Sequence, residues 1–192
     1  MKLNKSFLLI FFISIIALNV KSQTKYSSIK GINFTVSGTS TLHDWEMKGS
    51  GGKCIGTLEF SGSKLSELSD VSFSFPAKQL KSGKDAMDGN AYKSLKVEKF
   101  PNIIGSITNA KFTTTDNINF KFSTTLKLQI AGVTKDININ ADGKLNKDGS
   151  LTIKGEKKID MTEFKVDPPS FMFGSVKTGK DLTIKFDLTL NK

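Results

Sequence analysis

The sequence predicts an all-β protein, an antiparallel eight-stranded β-barrel with one short helix between strands. Three observations predict it. Apolar residues alternate with polar ones along most of the chain, which is the period of a half-buried strand. Turn-forming clusters separate these runs. One stretch alone changes to apolar residues four apart, the spacing of a helix. Eight or nine short strands that share one apolar face bury it by closing on themselves, and closure also removes edges that would otherwise pair with other chains.

The elements follow in order. Residues 1–22 hold Lys2 and Lys5, an apolar run from Phe7 to Val20, and a small residue, Ser22, at its end. This is the pattern of a secretory signal peptide, and the run is shorter than the ~20 apolar residues of a spanning helix. Residues 23–192 then form one domain, exported to a periplasm or secreted. Ile32, Phe34 and Val36 open the alternation, and Val71, Phe73 and Phe75 repeat it. Between them, "GTSTLHDWEMKG" reads as the turn joining the first two barrel strands. In "GKDAMDGNAYKSLKVEKFP", Met87, Ala91 and Leu95 stand four apart, Asp85 can cap the start, Gly89 interrupts and Pro101 ends the run. Downstream, Phe120, Phe122, Leu126, Leu128 and Ile130 share one face of a long strand, with Lys121, Ser123, Lys127 and Gln129 on the other. Ile137 and Ile139, then Leu151 and Ile153, then Leu182, Ile184, Phe186, Leu188 and Leu190 continue the pattern. Turns are expected at "TTTDN" from Thr113, "NKDG" from Asn146 and "KTGKD" from Lys177.

Composition excludes several functions. The net charge is +10, yet every basic residue is lysine. Nucleic-acid readers rely on arginine, so no nucleic acid is expected as a partner; a mild attraction to anionic membrane surfaces stays open. One cysteine, Cys54, and one histidine, His43, cannot assemble an ordinary zinc site, and one cysteine cannot close a disulfide. No phosphate loop, dinucleotide fingerprint or nucleophile elbow occurs, so neither a cofactor nor a metal is expected. Cys54 reads as an inert strand thiol. The best enzymatic case is a lipid ester or amide hydrolase using His43 and Asp44. Adjacent strand residues point to opposite faces, which separates that histidine from that aspartate and pairs it with Trp45. His43 and Trp45 then either pin the turn or meet a ligand's headgroup.

Fifteen phenylalanines against two tyrosines and one tryptophan supply apolar surface without a polar handle, a lining suited to hydrocarbon. Each methylene buried there contributes about 0.8 kcal/mol, offset by immobilisation of the chain. "DPPSFMFGSVKTG" places Phe171, Met172 and Phe173 after two prolines, in a loop that either lips the opening or caps the core.

Four stretches together resemble the YceI-like family. "INFTVSGTSTLHDW" is similar to its opening strand. "KSGKDAMDGNAYKSLKVEKFPNIIGSI" resembles its helix and the Lys-Tyr/Phe-Pro-x-Ile strand after it. "LKLQIAGVTKDININ" carries the family's Gly-Val-Thr-Lys at Gly132 to Lys135, and "KIDMTEFKV" resembles its Ile-x-Arg-x-x-Phe-Gly-Ile. The resemblance implies a lipocalin-like barrel, periplasmic or secreted, that binds polyisoprenoids, fatty acids or amides. Met87-Asp88 and Glu163-Phe164-Lys165 depart from the family's arginine and Asp-Phe-Gly, which bears on the headgroup more than on the tail. With the inward face set by alternation, Phe34, Val36, Phe73, Phe75, Phe122, Leu126, Leu128 and Ile153 are expected to line the cavity. Tyr92, His43, Trp45 and Phe171 to Phe173 are expected near its mouth. The expectation is therefore a non-enzymatic carrier of a long-chain amphiphilic lipid or isoprenoid. A hydrolase and a solid-barrel surface or assembly protein stand as alternatives, and homodimerisation stays open.

Overall fold

Twelve antiparallel strands and one helix make up the computed structural model, which describes residues 21–28, 30–171 and 174–192. The strands are β1 (Lys21–Ser27), β2 (Ile32–Ser40), β3 (Trp45–Gly51), β4 (Lys53–Ser61), β5 (Lys64–Pro76), β6 (Asn102–Asn109), β7 (Lys111–Thr114), β8 (Asn119–Ile130), β9 (Val133–Leu145), β10 (Leu151–Asp160), β11 (Ser170–Phe171) and β12 (Val176–Leu190). The helix α1 spans Asp85–Ser94, and short 3-10 turns fill Ala77–Gln79 and Met161–Phe164. Ten strands form one continuous path in the order β1-β4-β5-β6-β8-β9-β10-β12-β2-β3, with β7 beside β8 and β11 beside β12.

The all-β antiparallel class agrees with the sequence, but the path holds ten strands, not eight. The extra strands are those whose alternation is weak. In β1, "KSQTKYS", the ring of Tyr26 is buried at 5% exposure and the rest of the segment is polar or small. Lys21 and Ser22, assigned above to the end of the leader, already pair with Ser61 and Phe60 in this strand. Residues 1–20, the remainder of that leader, lie outside the described residues.

The sheet curls into a half-barrel whose end strands, β1 and β3, are not paired with each other. Two backbone bridges stitch the seam. At one end Lys48 on β3 exchanges hydrogen bonds of 2.8 and 2.7 Å with Lys81, just beyond the first 3-10 turn, and at the other Ser27 and Asn191 exchange two of 2.8 Å. Inward glycines let the wall curl tightly. Gly105 on β6 and Gly155 on β10 stand directly opposite Phe73 and Phe186, whose rings lie where a Cβ would be, 2.1 and 2.4 Å away. A phenylalanine laid over a strand glycine covers the backbone that the missing side chain exposes.

One expected turn, one helix interruption and one helix cap are corrected. "KTGKD" is not a turn but part of β12, because a bulge between Thr178 and Leu182 absorbs the extra residues against β2. Helix α1 runs unbroken through Gly89, which faces open space. Asp85 does not cap it: Lys84 occupies that position without a side-chain bond, and Asp85 is the first helical residue. The anchoring acid is Asp88, buried at 4% exposure. Its Oδ1 accepts from both the backbone N–H and the hydroxyl of Ser82, each at 2.7 Å, and its Oδ2 lies 3.5 Å from Lys81 Nζ. The helix is thereby tied across one end of the half-barrel.

The opposite end is solid. Phe112, Phe120 and Phe122 pack ring on ring, with centroids 5.4 to 6.0 Å apart, over Leu58, Leu151 and Leu190, each with no exposure. Side chains can just fill a small barrel in this way.

Candidate functional site

Above the solid end the interior is hollow. An inner chamber of about 150 Å³ lies within the sheet and an outer chamber of about 440 Å³ lies under α1. Val36, Leu80, Ile103, Ile130, Ile159 and Ile184 line both, forming a throat between them. Together the two reach the volume range of small-molecule sites.

The inner chamber is built by strand alternation. Phe34 and Val36 face it from β2, Phe73 and Phe75 from β5, Phe122, Leu126 and Leu128 from β8, and Ile153 from β10. All eight residues expected to line a cavity therefore converge on one. Thr124 joins them, its hydroxyl donating to the Asn109 carbonyl at 3.0 Å. Cys54 also lines this chamber at 3% exposure, and burial pushes its thiol up to about 12, which keeps it protonated and unreactive.

The outer chamber has an apolar floor and a polar rim. Met47, Met161, Phe164 and Val166 close its sides, and α1 with the residue that ends it lays Met87, Ala91 and Leu95 across it. Ser40, His43, Lys84, Asn90, Ser94 and Thr178 contribute the polar groups. The hairpin between β2 and β3 carries Leu42, His43 and Trp45 to this rim. Trp45 Nε1 donates to the Thr39 carbonyl at 3.0 Å, and its ring lies against Gly38, where a Cβ would come within 2.6 Å. That contact fixes the indole beside the opening.

His43 is not hydrogen-bonded as the base of a triad. Its Nδ1 donates to the backbone carbonyl of Asp44 at 2.6 Å, so the neighbouring residue orients the ring through its main chain and not through its carboxylate. A triad needs a carboxylate behind the imidazole and a nucleophile before it. Among the described residues, His43 has neither as a hydrogen-bond partner. Its backbone N–H and carbonyl are taken up by Ser40 Oγ, the bonds of a tight turn.

Tyr92 is placed differently from the expectation. It lines neither chamber; its hydroxyl lies 2.8 and 2.7 Å from the carbonyls of Lys78 and Leu80, and Lys81 Nζ sits 5.2 Å from its ring. It turns away from the cavity because those orphan carbonyls beside the 3-10 turn need a donor. Phe171 ends the two-residue strand β11, paired with Val176, rather than lying in a loop. Its side chain, and Met172 and Phe173 entirely, fall outside the described residues.

Several lining residues were not singled out from sequence. Ile159 stands on the inward face already marked by Ile153, and Ile184 is itself part of the last strand's alternation, so the period contained both. Leu80 and Met47 come from a connection and a short strand, where no period identifies a face. Phe164 is fully buried in the second 3-10 turn, which Asp160 caps by accepting from the Thr162 N–H at 2.9 Å.

The same architecture recurs in solved proteins. A polyisoprenoid binding domain from Saccharophagus degradans, implicated in plant cell wall breakdown, superposes with a TM-score of 0.63 at 9% identity, covering 86% of this chain and 97% of that one. BcnA of Burkholderia cenocepacia superposes with a TM-score of 0.61 at 16% identity, covering 81% and 95%. At such identities the likeness establishes the fold. No curated protein sequence matches the chain. The profile of the YceI-like domain matches residues 20–190, from the start of the first strand to the end of the last, and the chain belongs to that family.

Proposed function

We propose that this protein is a carrier that encloses a long-chain apolar molecule, an isoprenoid or acyl chain, outside the cytoplasm. The observation that carries the reading is the pair of connected chambers, the inner one lined by apolar side chains save Thr124 and Lys157 and the outer one polar at its rim. A hydrocarbon tail threaded through the throat would lie against Val36 and Ile184, with no buried polar group left unpaired by its arrival. The solved polyisoprenoid binding domain of the same fold supports the choice of ligand class. The basic and apolar segment at residues 1–22 supports export. Binding without catalysis accords with His43, whose ring is held by the main chain of a turn.

Protein purified without detergent and extracted with organic solvent should release a long-chain lipid seen by mass spectrometry. The delipidated protein should take up added farnesol or hexadecanol with quenching of Trp45, the single tryptophan. An empty extract together with no uptake overturns the reading.

A further inference from the structure

The wall of the half-barrel is split along one line. β8 pairs with β9 along its whole length to Val133, and β10 pairs with β12 from Leu151 to Asp160. Between these two ribbons, however, the ladder joining β9 to β10 runs only from Leu145 and Leu151 to Ala141 and Gly155. Beyond that point both strands continue without pairing to each other. The slot this leaves is bordered by Ile137 and Ile139 on one side and by residue 157 and Ile159 on the other. Ile137 and Ile139 face inward yet are only partly buried, as the opening requires.

Lys157 stands in this slot. The pleat of β10 puts Leu151, Ile153, Gly155, Lys157 and Ile159 on the inward face. Lys157 is the one charged residue lining the inner chamber, and it belongs to no ion pair or side-chain hydrogen bond among the described residues. Its outward neighbours, by contrast, pair across strands, Lys154 with Asp187 at 2.8 Å and Glu156 with Lys185 at 3.7 Å. A lysine on an apolar face costs free energy unless its stem covers that face and its ammonium reaches water or an anion. The slot supplies the way out, and the half-buried state of Lys157 accords with it.

We propose that Lys157 receives the carboxylate of a long-chain fatty acid at the slot between β9 and β10, with the acyl tail lying in the adjoining chambers. A single ammonium suits a monovalent head. The chambers continue from this point through the throat, so head and tail can be satisfied together. The proposal rests on the carrier reading and narrows its ligand to an acid.

The test titrates the delipidated protein with hexadecanoate, hexadecanol and hexadecanamide. Wild type should bind the acid about tenfold more tightly than the alcohol or amide, the factor expected of one charge-assisted contact. Lys157→Met should abolish that preference, Lys157→Arg should keep it, and Lys158→Met on the outward face should not alter it. Methionine on an inward strand face preserves the fold, and a thermal melt checks this. Equal affinity of wild type for all three probes, or a preference that survives Lys157→Met, overturns the proposal and leaves the carrier standing. No uptake of any probe by wild type overturns the carrier reading and this proposal with it.

Discussion

The rings of Phe34 and Phe75 meet edge to face across the interior, with centroids 4.9 Å apart and planes at 77°. Their strands, β2 and β5, are six places apart in the strand order, so this contact joins walls that no hydrogen-bond ladder connects. Phe75 is 1% exposed. Phe75→Ala should destabilise the protein by about 3–5 kcal/mol, through lost burial and an enlarged inner chamber. Chemical denaturation should show this as a lower midpoint; a change under about 1 kcal/mol would mean that the contact does not hold the curl together.

Val36 and Ile184 stand side by side on one wall of the throat, paired in register between β2 and β12. A Val36→Trp substitution fills the passage, at an overpacking cost of about 1–3 kcal/mol. On the carrier reading it should abolish uptake of sixteen-carbon probes while short-chain alcohols still bind in the outer chamber. Undiminished uptake of the long probes would show that the tail does not pass the throat.

Asp88 should make stability acid-sensitive. Burial by itself raises the carboxyl's pKa, but the two hydrogen bonds from Ser82 and the charge of Lys81 outweigh it and hold the carboxyl below its ordinary value. Asp116 and Asp160 are depressed to about 2, the first by the backbone N–H groups of Asn119 and Ile118, the second by Lys180 and Thr162. For all three the folded value lies below the unfolded one. Their stabilisation is therefore complete above about pH 4 and is lost as pH falls through the folded values, about 2 for Asp116 and Asp160. Asp88→Ala should cost about 2 kcal/mol at pH 7, the worth of a charge-assisted bond left unmade, and the cost should shrink in acid. Urea midpoints at pH 7 and pH 2.5 measure both; an equal cost at the two values would remove the charge from the account.

Cys54 should resist modification. With its thiol buried and pushed up to about 12, thiolate is scarce at neutral pH. Native protein should stay unlabelled by a maleimide at pH 7.5 and label fully in denaturant. Rapid native labelling would place the thiol in contact with solvent.

His43→Ala should leave stability within about 0.5 kcal/mol, since the exposed side chain bonds only the adjacent main chain. If the protein hydrolysed a lipid ester, and this substitution stopped it, the reading as a carrier would have to be given up.

Most of the strands were legible because the pleat writes itself into residue order: an inward residue is followed by an outward one, as in Phe120 to Ile130. The strands that escaped, among them β1, β3 and β7, carry few apolar residues and are recognisable only by their partners. Asp85 seemed the helix cap because it begins the periodic segment, whereas Asp88 anchors it through Ser82, a contact that helical order alone does not announce. Tyr92 was assigned to the mouth by its place on the helix, and the carbonyls that turn it away belong to another segment.

By itself, then, the sequence determined the all-β class, the apolar inward face, the turn that carries His43, and the family. Each of these is a local pattern, set by the two-residue period of a strand or by short spacings. The tertiary structure decided what no local pattern contains. It sets the meeting of Phe34 with Phe75, the division of the interior into two chambers with a throat, and the early end of the ladder between β9 and β10 that leaves Lys157 in an opening. The reason is physical: alternation fixes which way a side chain points, but whether the space it points into is filled, hollow or open depends on strands far away in the chain.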